Sequence, residues 1–102
     1  MCQSRISGVR VEEIIWLDAV VEKLAVKHQV VPDEVEEVLY NKPKFRFVEK
    51  GEREGEDVYL ALGQTDAGRY LAIVFIYKPS AQALILSARD MAKKERKLYG
   101  RK

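Results

Sequence analysis

Cysteine and histidine are nearly absent from this chain, which has one of each, Cys2 and His28. A lone cysteine excludes an internal disulfide, and one Cys with one His is too few ligands for a Cys/His zinc site. Long hydrophobic runs are missing as well. The longest, Tyr70 to Tyr77, falls far short of the ~20 apolar residues needed to span a bilayer. The opening stretch MCQSRISGVR has no apolar segment of the secretory type, so the expected location is the cytoplasm and no membrane is expected as a partner. There is no glycine-rich phosphate loop and no GxSxG elbow. Nor are carboxylates spaced as in a two-metal nuclease, so neither a metal nor a cofactor is expected.

What is present is a 102-residue chain, 47% apolar and 33% charged. That balance suits a soluble globular protein, and the length suits one modest core and one domain over residues 1–102, with residues 1–7 expected to fray. The net charge is only +2, but it is unevenly spread. Residues 1–77 hold ten Lys and Arg against fourteen Asp and Glu, a net −4, while residues 78–102 hold eight against two, a net +6. A basic C-terminal quarter fits an anionic partner at one face; it also fits a helix made soluble by lysine.

The periodicity divides the chain into helices and strands. Val9 to Trp16 partly alternates and reads as a short strand. Leu17 to His28 reads as a helix, with Leu17, Val20, Val21, Leu24 and His28 along one stripe. Pro32 breaks it and opens a second helix, with Asp33 and Glu34 favourably placed in its first turn and Asn41-Lys42-Pro43 at its end. From Lys44 the period changes to two, and Phe45 and Phe47 mark a strand. The polar run Glu49 to Asp57 reads as a flexible connection. Val58 to Leu62 is a further strand. It is followed by a hairpin loop in which Gly68 supplies a positive φ, then by a buried central strand over Tyr70 to Tyr77. Ala83 to Ser87 returns as another strand, and Asp90 is placed to cap a final helix. The order implies an α+β fold with helices on one face of a largely antiparallel sheet.

Several side chains could carry chemistry. Arg89 follows an apolar strand directly, and its guanidinium presents forked donors that match two phosphate oxygens; a structural salt bridge is the plainer use of the same residue. Lys93, Arg96 and Lys97 share one face of the final helix beside Lys94, while Met91, Leu98 and Tyr99 turn inward. Such a face can lie along a nucleic-acid backbone or simply be solvated. Tyr99 can stack on a base, donate a proton or seal the core edge. His28, the one group whose ordinary pKa lies near neutrality, could act as acid or base, yet it continues the apolar stripe of its helix. Arg69 enters the central strand opposite the expected exit of Arg89. Two arginines, Tyr99 and a lysine would suffice for metal-free RNA cleavage, in which the 2′-hydroxyl attacks phosphorus and fixed cations stabilise the phosphorane.

Three blocks in order, KHQVVPDEVEEVL (Lys27 to Leu39), YLALGQTDAGRYLAIVF (Tyr59 to Phe75) and LSARDMAKKERKLY (Leu86 to Tyr99), resemble the BrnT family of toxins. The resemblance runs from about Trp16 to Tyr99, and its SAR…ER..Y block is the most specific part. It implies a RelE-like small antiparallel sheet, with two N-terminal helices and a C-terminal helix packed against it. It further implies a metal-independent endoribonuclease that inhibits translation. The implied partner, besides RNA, is a BrnA-like ribbon-helix-helix antitoxin, joined with the toxin in a heterotetramer. The matching positions are Lys27, His28, Arg69, Arg89, Arg96 and Tyr99. They make Arg89 and Arg69 phosphate clamps, and Tyr99 and His28 proton-transfer candidates. Lys27, Lys93, Lys94, Arg96 and Lys97 would bind the RNA. Family members commonly have glycine after Lys-His, where this chain has Gln29, so the helix must end either with Gln29 in a left-handed conformation or in another way. A non-catalytic RNA- or partner-binding module of the same fold, or a degenerate toxin kept for antitoxin binding, is the alternative function.

Overall fold

The computed structural model describes residues 11–51 and 55–100. Its elements are β1 (Glu13–Ile15), α1 (Asp18–Lys27), α2 (Pro32–Tyr40), β2 (Lys44–Glu49), β3 (Asp57–Gln64), β4 (Tyr70–Tyr77), β5 (Gln82–Asp90) and α3 (Lys93–Gly100). The strands form one sheet in the order β1-β5-β4-β3-β2, with β1 parallel to β5 and every other pair antiparallel. The expected α+β architecture is present. The expectations for residues 1–7 and Val9 lie outside the described residues, as does part of the polar connection, and the first strand begins only at Glu13.

The helices lie on both faces of the sheet, not on the one face expected from the order of elements. Leu71, Ile73 and Phe75 of β4 point to the side covered by α1 and α2, where they pack with Leu24, Val30, Val35, Val38 and Leu39. The alternate residues Tyr70 and Ala72 join Leu62, Met91, Leu98 and Tyr99 on the opposite side, under α3. A strand buried on both faces shows no polar alternation, so its sequence cannot say which helix takes which side. The fully buried Phe75, Leu24, Leu62 and Ile73 anchor this core, each such side chain contributing roughly 1.5–3 kcal/mol.

Two local features fix where the functional side chains go. Gly63 lies beneath α2, where a Cβ would sit 2.9 Å from Val38 Cγ1 and 3.2 Å from Pro43 Cβ, so its missing side chain lets helix and strand close up. In β5 the register against β4 shifts: Ile85 pairs with Phe75, but Ser87 pairs with Val74, leaving Leu86 as an extra residue. A bulge of this kind reverses the side-chain parity beyond it. Ile85 and Ala88 therefore both face α1 and α2, and Arg89, opposite Ala72, faces α3.

Candidate functional site

Arg89 is a residue of β5 rather than of the loop beyond it, because the strand runs on to Asp90. Its Nη1 and Nη2 donate to Glu95 Oε1 and Oε2 at 2.6 and 2.7 Å, a bidentate pair, and Nη1 also donates to the Asp90 carbonyl at 3.2 Å. Bonding to Arg89 holds the Glu95 carboxyl below the usual carboxylate range, against the opposing effect of burial, with the Ala92 amide adding to the shift. The Ala92 amide donates to Glu95 Oε1 at 2.8 Å. This is half of a capping box, and it starts α3. Asp90, expected to cap that helix, does not; its carboxylate accepts from Arg69 instead.

On the same face α3 leans on the start of β4. The Arg96 guanidinium carbon sits 4.4 Å from the Tyr70 ring centre, and the Tyr70 and Tyr99 rings meet edge to face at 6.0 Å. Lys44, entering β2, places Nζ 5.9 Å from the Tyr99 ring centre and donates to the Leu98 carbonyl at 3.4 Å. An open groove of about 460 Å³ runs here, lined by Gln64, Tyr70, Arg96, Lys97, Tyr99 and Gly100. Lys93 and Lys94 are exposed on the first turn of α3. Cations, two phenol rings and an amide side chain thus surround a groove open to solvent, which suits a polyanion carrying planar bases.

The remaining expected residues lie elsewhere. Arg69 does not face Arg89. It turns to the α1/α2 side, where every guanidinium N–H is committed. Nε and Nη2 donate to Asp90 at 2.8 and 3.4 Å, Nη2 to the His28 carbonyl at 2.9 Å, and Nη1 to the Gln29 carbonyl at 2.9 Å and to Glu34 at 3.1 and 3.2 Å. The hairpin beneath is pinned by buried Thr65, whose Oγ1 accepts the Arg69 amide at 3.0 Å, and by Gly68 at φ 94°. His28 ends α1 beside this cluster, its charged form one of the influences lowering the Asp90 pKa, behind the larger effect of Arg69. It is not among the residues around Tyr99. Lys27 lies on exposed α1, in a shallow groove with Ala19, Glu22, Lys23 and Val26. Sequence reasoning missed Lys44, Gln64, Tyr70 and Glu95. Glu95 left a signal, since it stands three residues after the helix-starting Ala92; the other three come from β2, β3 and β4, which only folding brings to α3.

Gln29 adopts the left-handed conformation at φ 54°, while the amide of the following Val30 donates to the Leu24 carbonyl at 3.1 Å. A side chain there is strained where glycine is not. Gln29→Gly is expected to raise the free energy of unfolding by about 0.5–1 kcal/mol. An unchanged or lower urea midpoint would refute the strain.

Among the described residues no group of three or more His, Cys, Asp and Glu side chains is placed to hold a metal ion, and no helix is long and apolar enough to cross a membrane. Residues 16–95 match the family model described as the ribonuclease toxin, BrnT, of a type II toxin–antitoxin system. No curated protein matches the chain.

Proposed function

Because the chain belongs to the BrnT family, the ribonuclease toxins of type II toxin–antitoxin systems, we propose that it is a single-domain, cytoplasmic endoribonuclease that cuts RNA in the groove beside α3 and so arrests translation. An RNA substrate and an antitoxin follow from the family. The observation that carries the groove assignment is the gathering of Arg96 and Lys97 around Tyr70 and Tyr99, with Arg89 on the same face of the sheet and tied to α3 through Glu95.

In the reaction we propose, the 2′-oxygen bonds to the adjacent phosphorus and gives up its proton to solvent. The bond from phosphorus to the 5′-oxygen breaks, and that oxygen takes a proton from the Tyr99 phenol. The products are a 2′,3′-cyclic phosphate and a 5′-hydroxyl. Arg89 and Arg96 meet the charge that builds on the non-bridging oxygens, where fixed donors act most strongly. They supply the positive charge a metal would otherwise bring, so the cleavage is metal-independent. Lys93, Lys94 and Lys97 attract the backbone at large. Arg69, His28 and Lys27 stand outside this chemistry. The antitoxin is a BrnA-like ribbon-helix-helix protein, joined with the toxin in a heterotetramer, which silences it by covering the cationic groove.

A mixed-sequence single-stranded RNA incubated with the purified chain in EDTA is expected to yield internal fragments ending in 2′,3′-cyclic phosphate. Expression without antitoxin is expected to arrest growth. Salt-sensitive RNA binding with no new RNA ends would instead establish a non-catalytic binding module.

A further inference from the structure

A carboxylate on a helix whose other charges attract RNA repels the ligand unless it has a task there. Glu95 is such a carboxylate, flanked on α3 by Lys93, Lys94, Arg96 and Lys97. Its side chain is only 15% exposed. Both oxygens are occupied: Oε1 accepts from Arg89 Nη1 and from the Ala92 amide, and Oε2 accepts from Arg89 Nη2. One residue therefore fixes the guanidinium of Arg89 and the first turn of the helix that carries Arg96 and Tyr99. The bidentate pair takes the Nη1–Nη2 end of the guanidinium. Nε and the second Nη2 hydrogen carry none of these bonds, and they form an edge that matches two phosphate oxygens.

We propose that Glu95 is a positioning residue for RNA cleavage: it presents the Nε–Nη2 edge of Arg89 to the scissile phosphate, at the expense of ground-state RNA affinity. This rests on the endoribonuclease reading above. A cation fixed before the reaction begins stabilises the developing charge without having to reorganise, whereas a side chain displaced by about 1 Å can lose about 10²-fold in rate.

The test separates rate from binding. Glu95→Gln keeps the side-chain size and an acceptor for the Ala92 amide, but loses the charge and one acceptor for Arg89. Its single-turnover cleavage is expected to fall by about 10²-fold. Its affinity for a 2′-O-methyl RNA of the same sequence, which cannot react, is expected to stay level or tighten. A purely structural role would weaken both together and lower the melting temperature. A purely electrostatic role would tighten binding and leave the rate undiminished. Either result overturns the proposal. Should Glu95→Gln not fold, Glu95→Asp carries the same test, since it keeps the charge and withdraws the carboxylate by one methylene; slow cleavage with unchanged binding is again expected. If wild type cleaves, Arg89→Met does not, and Glu95→Gln matches wild type, this inference falls and the endoribonuclease reading stands. A wild type that cleaves no RNA removes both.

Discussion

Arg89→Met is expected to cut the single-turnover rate of RNA cleavage by about 10³-fold, the scale on which transition-state arginines act in phosphoryl transfer. Methionine keeps the length and apolar stem of the side chain but carries no donor. RNA affinity is expected to change less than tenfold, because Lys93, Lys94, Arg96 and Lys97 still supply the general attraction, and one lost phosphate contact removes about one unit from the salt slope. Glu95 loses its bidentate partner in this variant but keeps the Ala92 amide. The melting temperature should therefore drop modestly, and cleavage is to be compared where both proteins are folded. Arg89→Lys restores charge without the fork, so it recovers binding and little of the rate. Cleavage by Arg89→Met within threefold of wild type would show that β5 carries no catalytic cation.

The parity of β5 explains why this site was only half legible in the sequence. The helices, the hairpin and the bounds of β4 follow from patterns spelled out locally: the stripe through Leu24, Pro32 opening α2, Gly68 in its turn, and the unbroken apolar run from Tyr70 to Tyr77. Alternation counted from Ala83 without interruption sends residue 89 to the same face as residues 83 and 85, which is the face Arg69 enters. The extra residue at Leu86 reverses that count and moves Arg89 to the face of α3. Nothing in LILSARD marks the bulge, since it costs no glycine or proline and is set by how β5 packs against β4. The basic face of α3 was legible because it lies within a few turns of one helix. Tyr70 and Lys44 were not, because they reach Tyr99 only when the β2–β3–β4 meander folds.

Arg69→Met is expected to lower the free energy of unfolding by about 3 kcal/mol and to leave cleavage per folded molecule within a few-fold of wild type. In the native protein this guanidinium ties four separate segments: the end of α1 through the His28 and Gln29 carbonyls, α2 through Glu34, β5 through Asp90, and the β3–β4 hairpin from which it projects. Removing it leaves two carboxylates facing one another and two helix-end carbonyls without a donor. The side chain is 28% exposed, so water recovers part of the loss, and the figure stands below that for a fully buried pair. Glu34 also accepts the Val31 amide that caps α2, so the strain reaches the helix start. Lysine cannot serve five donor positions from one ammonium, and Arg69→Lys is expected to recover less than half of the loss. Acid dependence gives an independent check. Bonding to Arg69 holds the Asp90 carboxyl below its ordinary value. The stability this adds is present above the unfolded-state pKa and is lost as pH falls through the folded-state value. Wild type should thus lose stability as pH falls below about 4, and the Arg69→Met variant should show a shallower acid slope. Melting curves at pH 7 and pH 3 measure both effects, and equal slopes would break the assignment of Asp90 to Arg69. If Arg69→Met instead remained as stable as wild type yet failed to cleave RNA, the guanidinium would belong to the chemistry after all, and the groove beside α3 would not be the whole site.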